Sequence, residues 1–162
     1  MSAALTQRTG VSLVLGSGAM LFTGLALAYG LVRAREPQWP PVDVPTLEPA
    51  LPALATFALL GATLAVWRWG AARWLAVLFG LTFLGIQLYA WTALWRAGLT
   101  PGSGAFASLL YGLTWLHALH TAVGVAGLGA QAARARAPGG WAAYWHLVSF
   151  AWLAIAGGLF LA

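Results

Sequence analysis

Residues 106–129, FASLLYGLTWLHALHTAVGVAGLG, decide the fold. No Asp, Glu, Lys or Arg interrupts the run, and as a helix it is long enough to cross about 30 Å of hydrocarbon. In such a medium each backbone N–H and C=O must be satisfied within its own segment, which selects an α-helix. Four further stretches have the same character: residues 11–32, 51–69, 74–95 and 141–161. The edges of the second and fifth are open, because Pro52, Trp67, Trp69, Trp141 and Trp145 fit either inside a span or in an interfacial aromatic belt. The expectation is an all-α polytopic membrane bundle of five transmembrane helices, a single domain over residues 1–162.

Composition points the same way. The chain is 61% hydrophobic and 7% charged, against roughly 25% charged residues in a water-soluble domain. Its net charge of +5 comes from arginines standing singly or in pairs at the ends of apolar runs, so no basic patch for a nucleic acid is formed. With no cysteine, neither a disulfide framework nor a thiolate metal site arises. The run from Val11 lacks a clear basic n-region and a small-residue cleavage site, and reads as a retained span. No internal repeat is visible.

The connections are short except for residues 33–50, which carry Pro37, Pro40, Pro41, Pro45 and Pro49 together with all three acids, Glu36, Asp43 and Glu48. Proline removes backbone donors and disfavours helix before it, so this segment is expected as an extended strap across one end of the bundle. With five spans, Arg8, Arg68, Arg73, Arg134 and Arg136 share one side, and Arg33, Arg35 and Arg96 share the other. That bias favours a cytoplasmic N-terminus and an outer C-terminus. Within the spans Gly16, Gly18, Gly24, Gly80, Gly85, Gly124, Gly127, Gly157 and Gly158 mark candidate close approaches between helices.

The polar residues that carry any special role are few. His117 and His120 share a helical face one turn apart, and His146 lies near the start of the next span. Imidazole is a common ligand for haem iron, copper and zinc, so a haem or metal site is one use and interhelical hydrogen bonding is the other. Residues one turn apart on one helix cannot ligate opposite faces of one haem, and no carboxylate lies in a span to complete a metal site. Gln87, Tyr89 and Thr82 are the other polar groups expected to be buried, again as interhelical hydrogen-bonding groups.

At these residues a family resemblance emerges. Thr114-Trp115-Leu116-His117-Ala118-Leu119-His120, followed by Gly124, resembles the TGFHGLHV…G signature of subunit III of the haem-copper oxidases. Tyr144-Trp145-His146-Leu147-Val148, followed by Trp152, resembles its YWHFVDVVW motif. The run from Ser17 to Gly24 is similar to SEVMLFTG, Trp39-Pro40-Pro41 to the following WPP, and Gln87-Leu88-Tyr89-Ala90-Trp91 to Q-x-Y-E-W. The chain resembles the short, five-helix bacterial form of the family.

The resemblance implies an accessory subunit without a redox centre or catalytic residue of its own. It would pack on the haem- and copper-bearing subunit I, and on subunit II, in the bacterial inner membrane, hold phospholipid, and support assembly, proton uptake and turnover stability in aerobic respiration. It further implies that Arg134, at the end of the histidine-bearing helix, meets a lipid headgroup, for which a guanidinium is suited by bidentate hydrogen bonding. Three family carboxylates are replaced here, by Gly18, Ala90 and Ser149. The histidines are therefore expected to find backbone, hydroxyl or glutamine partners, Ser149 being the first candidate for His146. The host enzyme stays open between a cytochrome c or quinol oxidase and a nitric oxide reductase. A free-standing haem b electron carrier using His117, His120 and His146 is the reading of a different class.

Overall fold

The computed structural model describes residues 3–42, 44–45 and 47–161, with the side chains of 3–8 and 161 outside the description. Asp43 of the acidic loop, and the side chain of Arg8 used in the orientation argument, therefore lie outside the described residues. Five helices result: α1 (Ala3–Arg33), α2 (Ala50–Trp67), α3 (Trp69–Arg96), α4 (Ala105–Ala133) and α5 (Gly140–Ala156), the last running on as a π-helical turn, Gly157–Leu161. Each is long and apolar enough to cross a membrane.

The helices outrun the apolar cores read from sequence because backbone pairing continues until a residue breaks it. Gly98 and Gly104 (φ +89° and +127°) bound the turn between α3 and α4, and Ala135 and Gly139 (φ +50° and +53°) bound that between α4 and α5. The second span also needs correction at its end. Trp69 starts α3 rather than closing α2, and residues 70–73 are helical, so Arg68 alone makes the corner. Its N–H still bonds Leu64 O of α2.

Helices α2, α3, α4 and α5 form a ring in which each packs on the next, and α1 lies outside it against α5 and, more thinly, α4. On α3 the buried positions Ala76, Gly80, Phe83, Gln87, Ala90 and Leu94 recur at alternate spacings of four and three, the signature of a continuous packing seam. Small residues in that seam let α5 send a large ring into the middle of the bundle. Trp145 is fully buried; a methyl at Gly80 would stand 3.0 Å from its ring, and one at Gly124 3.1 Å. Gly18, Gly127 and Gly158 likewise abut Leu147, Trp141 and Tyr29, whereas Gly16, Gly24, Gly85 and Gly157 face open space.

The proline-rich segment crosses one end of the ring without helix among its described residues, and is pinned by Trp39. Its indole donates to Tyr29 Oη at 2.9 Å, and Tyr29 donates to Gly158 O at 2.5 Å. The Trp39 ring also meets Phe106 edge-on at 5.2 Å. This clasp joins α1, the strap, α4 and the end of α5.

Candidate functional site

Depth in a membrane determines how a polar side chain is satisfied, since lipid offers no partner. The interior of the ring answers with a ladder of indole-to-hydroxyl contacts. Trp152 Nε1 donates to Thr56 Oγ1 at 2.9 Å and Trp145 Nε1 to Thr63 Oγ1 at 3.2 Å, both between α5 and α2. Trp91 Nε1 donates to Thr114 Oγ1 at 3.0 Å, between α3 and α4. Each threonine hydroxyl is itself within bonding distance of the carbonyl four residues earlier, Pro52, Leu59 or Leu110. That back-bond fixes the hydroxyl proton and turns a lone pair toward the neighbouring helix.

His117 lies fully buried beside this ladder. Its Nε2 is 3.0 Å from Val148 O on α5; a carbonyl only accepts, so Nε2 carries a proton and donates it. The ring packs against Phe83 at 5.4 Å and Trp152 at 5.3 Å, with Phe22 of α1 at 6.1 Å. Thr121 Oγ1 donates to His117 O at 3.0 Å and stands 3.5 Å from Nδ1. His117 is thus a node where α1, α3, α4 and α5 meet.

His120 is half-buried, with Nδ1 2.8 Å from Leu116 O of its own helix. Its ring meets Phe22 at 5.1 Å, so it serves the α1 contact, while its carbonyl accepts from Tyr144 Oη at 3.1 Å. His146 takes a different kind of partner: its Nε2 accepts from Trp67 Nε1 at 3.2 Å. The pairing of His146 with Ser149 expected from sequence does not form. Ser149 Oγ instead donates to Trp145 O at 2.9 Å and meets Thr63 Oγ1 at 3.0 Å, because the carbonyl one turn back is its nearest acceptor.

Two other expectations are corrected. Tyr89 and Thr82 are exposed on the outside of the bundle rather than buried, Tyr89 at 59%. Both precede or follow the α3 seam positions by one or two residues, which turns them outward. Gln87 is buried as read, at 4% exposure. Among the described residues no three of His, Cys, Asp or Glu gather to hold a metal ion. Each histidine has one ring nitrogen committed to a protein partner.

Two cavities open at opposite ends. One of about 480 Å³ lies under the strap, between Pro45, Phe57, Phe106 and Phe160. The other, about 670 Å³, lies at the far end between α1 and the α4–α5 turn. Apolar Val11, Val14, Leu15 and Val123 line it, with Arg136, Gln131 and Tyr144 as polar members. Arg134, read from sequence as the headgroup ligand, is exposed and does not line it; Arg136 is the arginine in its wall. Tight placement of this turn comes from Trp69, whose indole donates to Arg136 O at 2.7 Å.

Sequence reasoning missed the threonines of the ladder and the central position of Trp145 and Trp152. A signal was present: Thr56 and Thr63 are seven residues apart, as are Trp145 and Trp152, so antiparallel helices can match them two turns apart on both sides.

No family model matches the sequence. Two curated relatives do. Cytochrome c oxidase subunit 3 of Synechocystis sp. is 30% identical over 169 aligned residues, covering 90% of this chain and 71% of the relative. Cytochrome c oxidase subunit 3 of Thermostichus vulcanus is 28% identical over 167, covering 89% and 81%.

Proposed function

The chain belongs to the cytochrome c oxidase subunit 3 family, and from that premise we propose that it is a non-catalytic accessory subunit of a haem-copper terminal oxidase. In this role it is a multi-pass membrane protein that packs on subunit I and subunit II, which carry the haem and copper. It sits in a bacterial inner membrane with its N-terminus cytoplasmic and its strap outside. The single observation that carries the accessory role is the use made of the imidazoles. His117 bonds Val148 O, His120 bonds Leu116 O, and His146 accepts from Trp67, so each ring joins or braces helices.

The site residues take corresponding roles. His117, His120 and His146, with Ser149, Gln87 and Gly124, hold the helices in register, and exposed Tyr89 faces lipid or a neighbouring subunit. The cavity walled by Arg136, two residues on from Arg134, holds a phospholipid, its phosphate on a guanidinium and its acyl chain along Val11, Val14 and Val123. A rigid bundle with lipid at its cytoplasmic end supports assembly, proton uptake and a long working life for the enzyme.

Isolation through an affinity tag on this chain, from native membranes in mild detergent, tests the reading. A large haem-containing subunit should accompany the tag, and the Soret band should stay with that partner after the chain is stripped away. A Soret band that follows the chain alone, and disappears with His120→Ala, would establish the haem-carrier reading instead.

A further inference from the structure

Among the described residues the polar side chains buried in the ring are Gln87, Thr114, His117, Thr121 and Ser149. Four of them have partners: Thr114, His117, Thr121 and Ser149 each make at least one bond of 3.0 Å or less. Gln87 is the exception. Its Nε2 is completely buried, and no acceptor lies within hydrogen-bonding distance.

We propose that Gln87 is the foot of an internal water site in the seam between α3 and α4. The argument begins with depth. Gln87 lies inside the 28-residue helix α3, more than two turns before its end at Arg96, and is 4% exposed. A buried amide left dry in such a place is strongly disfavoured, and buried polar groups that lack protein partners are the usual hosts of ordered water. Water is the smallest molecule able to accept from the amide and pass a proton donor onward.

The facing helix supplies the second anchor. Trp91 follows Gln87 by one turn on α3, and its indole reaches across to Thr114 Oγ1 on α4 at 3.0 Å. Phe83 precedes Gln87 by one turn, and its ring meets His117 on α4 at 5.4 Å. Gln87 is therefore bracketed on α4 by Thr114 and His117. The Thr114 hydroxyl gives its proton to Leu110 O at 2.7 Å and accepts one bond, from Trp91; a hydroxyl oxygen has two lone pairs, so one remains. A water that accepts from Gln87 and donates to that lone pair satisfies one N–H of the amide and the free lone pair of Thr114. Ala90, the next residue of the seam after Gln87 and buried with it, offers only a methyl group beside the amide.

The test is a map of the chain in its native membrane assembly, at a resolution that shows ordered water inside neighbouring subunits. The site predicts a peak at about 2.8–3.0 Å from the Gln87 amide, with a second contact to Thr114. An amide seen bonded directly to protein, or left dry while other internal waters are visible, overturns the proposal. Gln87→Leu gives an independent reading on the same assembly. Losing a water-bridged amide should remove the peak and lower the melting temperature by about 2–4 °C. A peak that persists in Gln87→Leu would show that the water does not depend on the amide, and would equally overturn it. Should Gln87→Leu fail to assemble, the wild-type map decides alone.

Discussion

Thr63→Val is the sharpest single perturbation of the ladder, because valine keeps the shape of threonine and removes only the oxygen. Thr63 Oγ1 accepts from Trp145 Nε1 at 3.2 Å and meets Ser149 Oγ at 3.0 Å. Ser149 keeps its bond to Trp145 O at 2.9 Å, so its loss is partial. Trp145 has no such fallback: the ring is fully buried, and its N–H would be stranded in the bundle. An orphaned buried donor costs about 1–3 kcal/mol, whereas interhelical hydrogen bonds in membranes average nearer 0.6 kcal/mol with a maximum near 1.7. The expected destabilisation is thus about 1–2 kcal/mol, the orphan placing it above the membrane average. Reversible unfolding in mixed micelles, titrated with dodecyl sulfate and followed by tryptophan fluorescence, measures it. A double-mutant cycle with Trp145→Phe isolates the bond, since in that background no indole N–H remains to be stranded and Thr63→Val should cost little. Strictly additive effects, with coupling below about 0.3 kcal/mol, would refute the claim that this contact is an energetically real hydrogen bond.

Three other outcomes are expected. His120→Ala removes the ring that meets Phe22 at 5.1 Å and should destabilise the α1 contact by about 1 kcal/mol; the assembled oxidase should start at its normal rate of oxygen reduction and inactivate sooner, as followed on an oxygen electrode. Gly80→Ala puts a methyl 2.6 Å from Val125 Cγ2 and 3.0 Å from Trp145, an overpacking of about 1–3 kcal/mol that should lower the yield of assembled complex, whereas Gly85→Ala, facing open space, should not. Arg136→Gln should reduce the anionic phospholipid retained by the purified complex in native mass spectrometry, while Arg96→Gln at the opposite end leaves it unchanged.

How far the fold could be read from sequence depended on the physical scale of each signal. Apolar runs gave five helices because hydrocarbon imposes its thickness on every one of them, and the prolines from Pro37 to Pro49 made the strap equally plain. Helix ends were less legible, as at Trp69. A corner of one residue, Arg68, leaves no composition change to detect, and an indole serves as well at the start of a helix as at its end. Polar partners were the least legible. The spacing of His146 and Ser149 suggested a pair, but proximity along a helix does not outweigh the acceptor already present at Trp145 O. Trp145 itself fitted an interfacial belt as well as a core until Gly80, Gly124 and Thr63 were seen to converge on it from three other helices.

Neutral packing also marks the three positions, 18, 90 and 149, at which the family resemblance implies a carboxylate. At the first of the three positions, Gly18 is buried, and a methyl there would stand 3.1 Å from Leu147 Cδ2, which would have to yield. At the second, Ala90 is buried in the α3 seam. At the third, Ser149 is tied to Thr63 and Trp145 O. A buried carboxylate requires a matched donor or cation, and removing only one member of such a pair strands the other. Here the partners are backbone carbonyls and hydroxyls: His117 on Val148 O, the indoles on threonine hydroxyls. Neutral partners hold helices together without a buried charge to solvate, so the seam gives specificity of register from shape and hydrogen-bond direction alone. Such a seam suits the accessory role proposed for this chain.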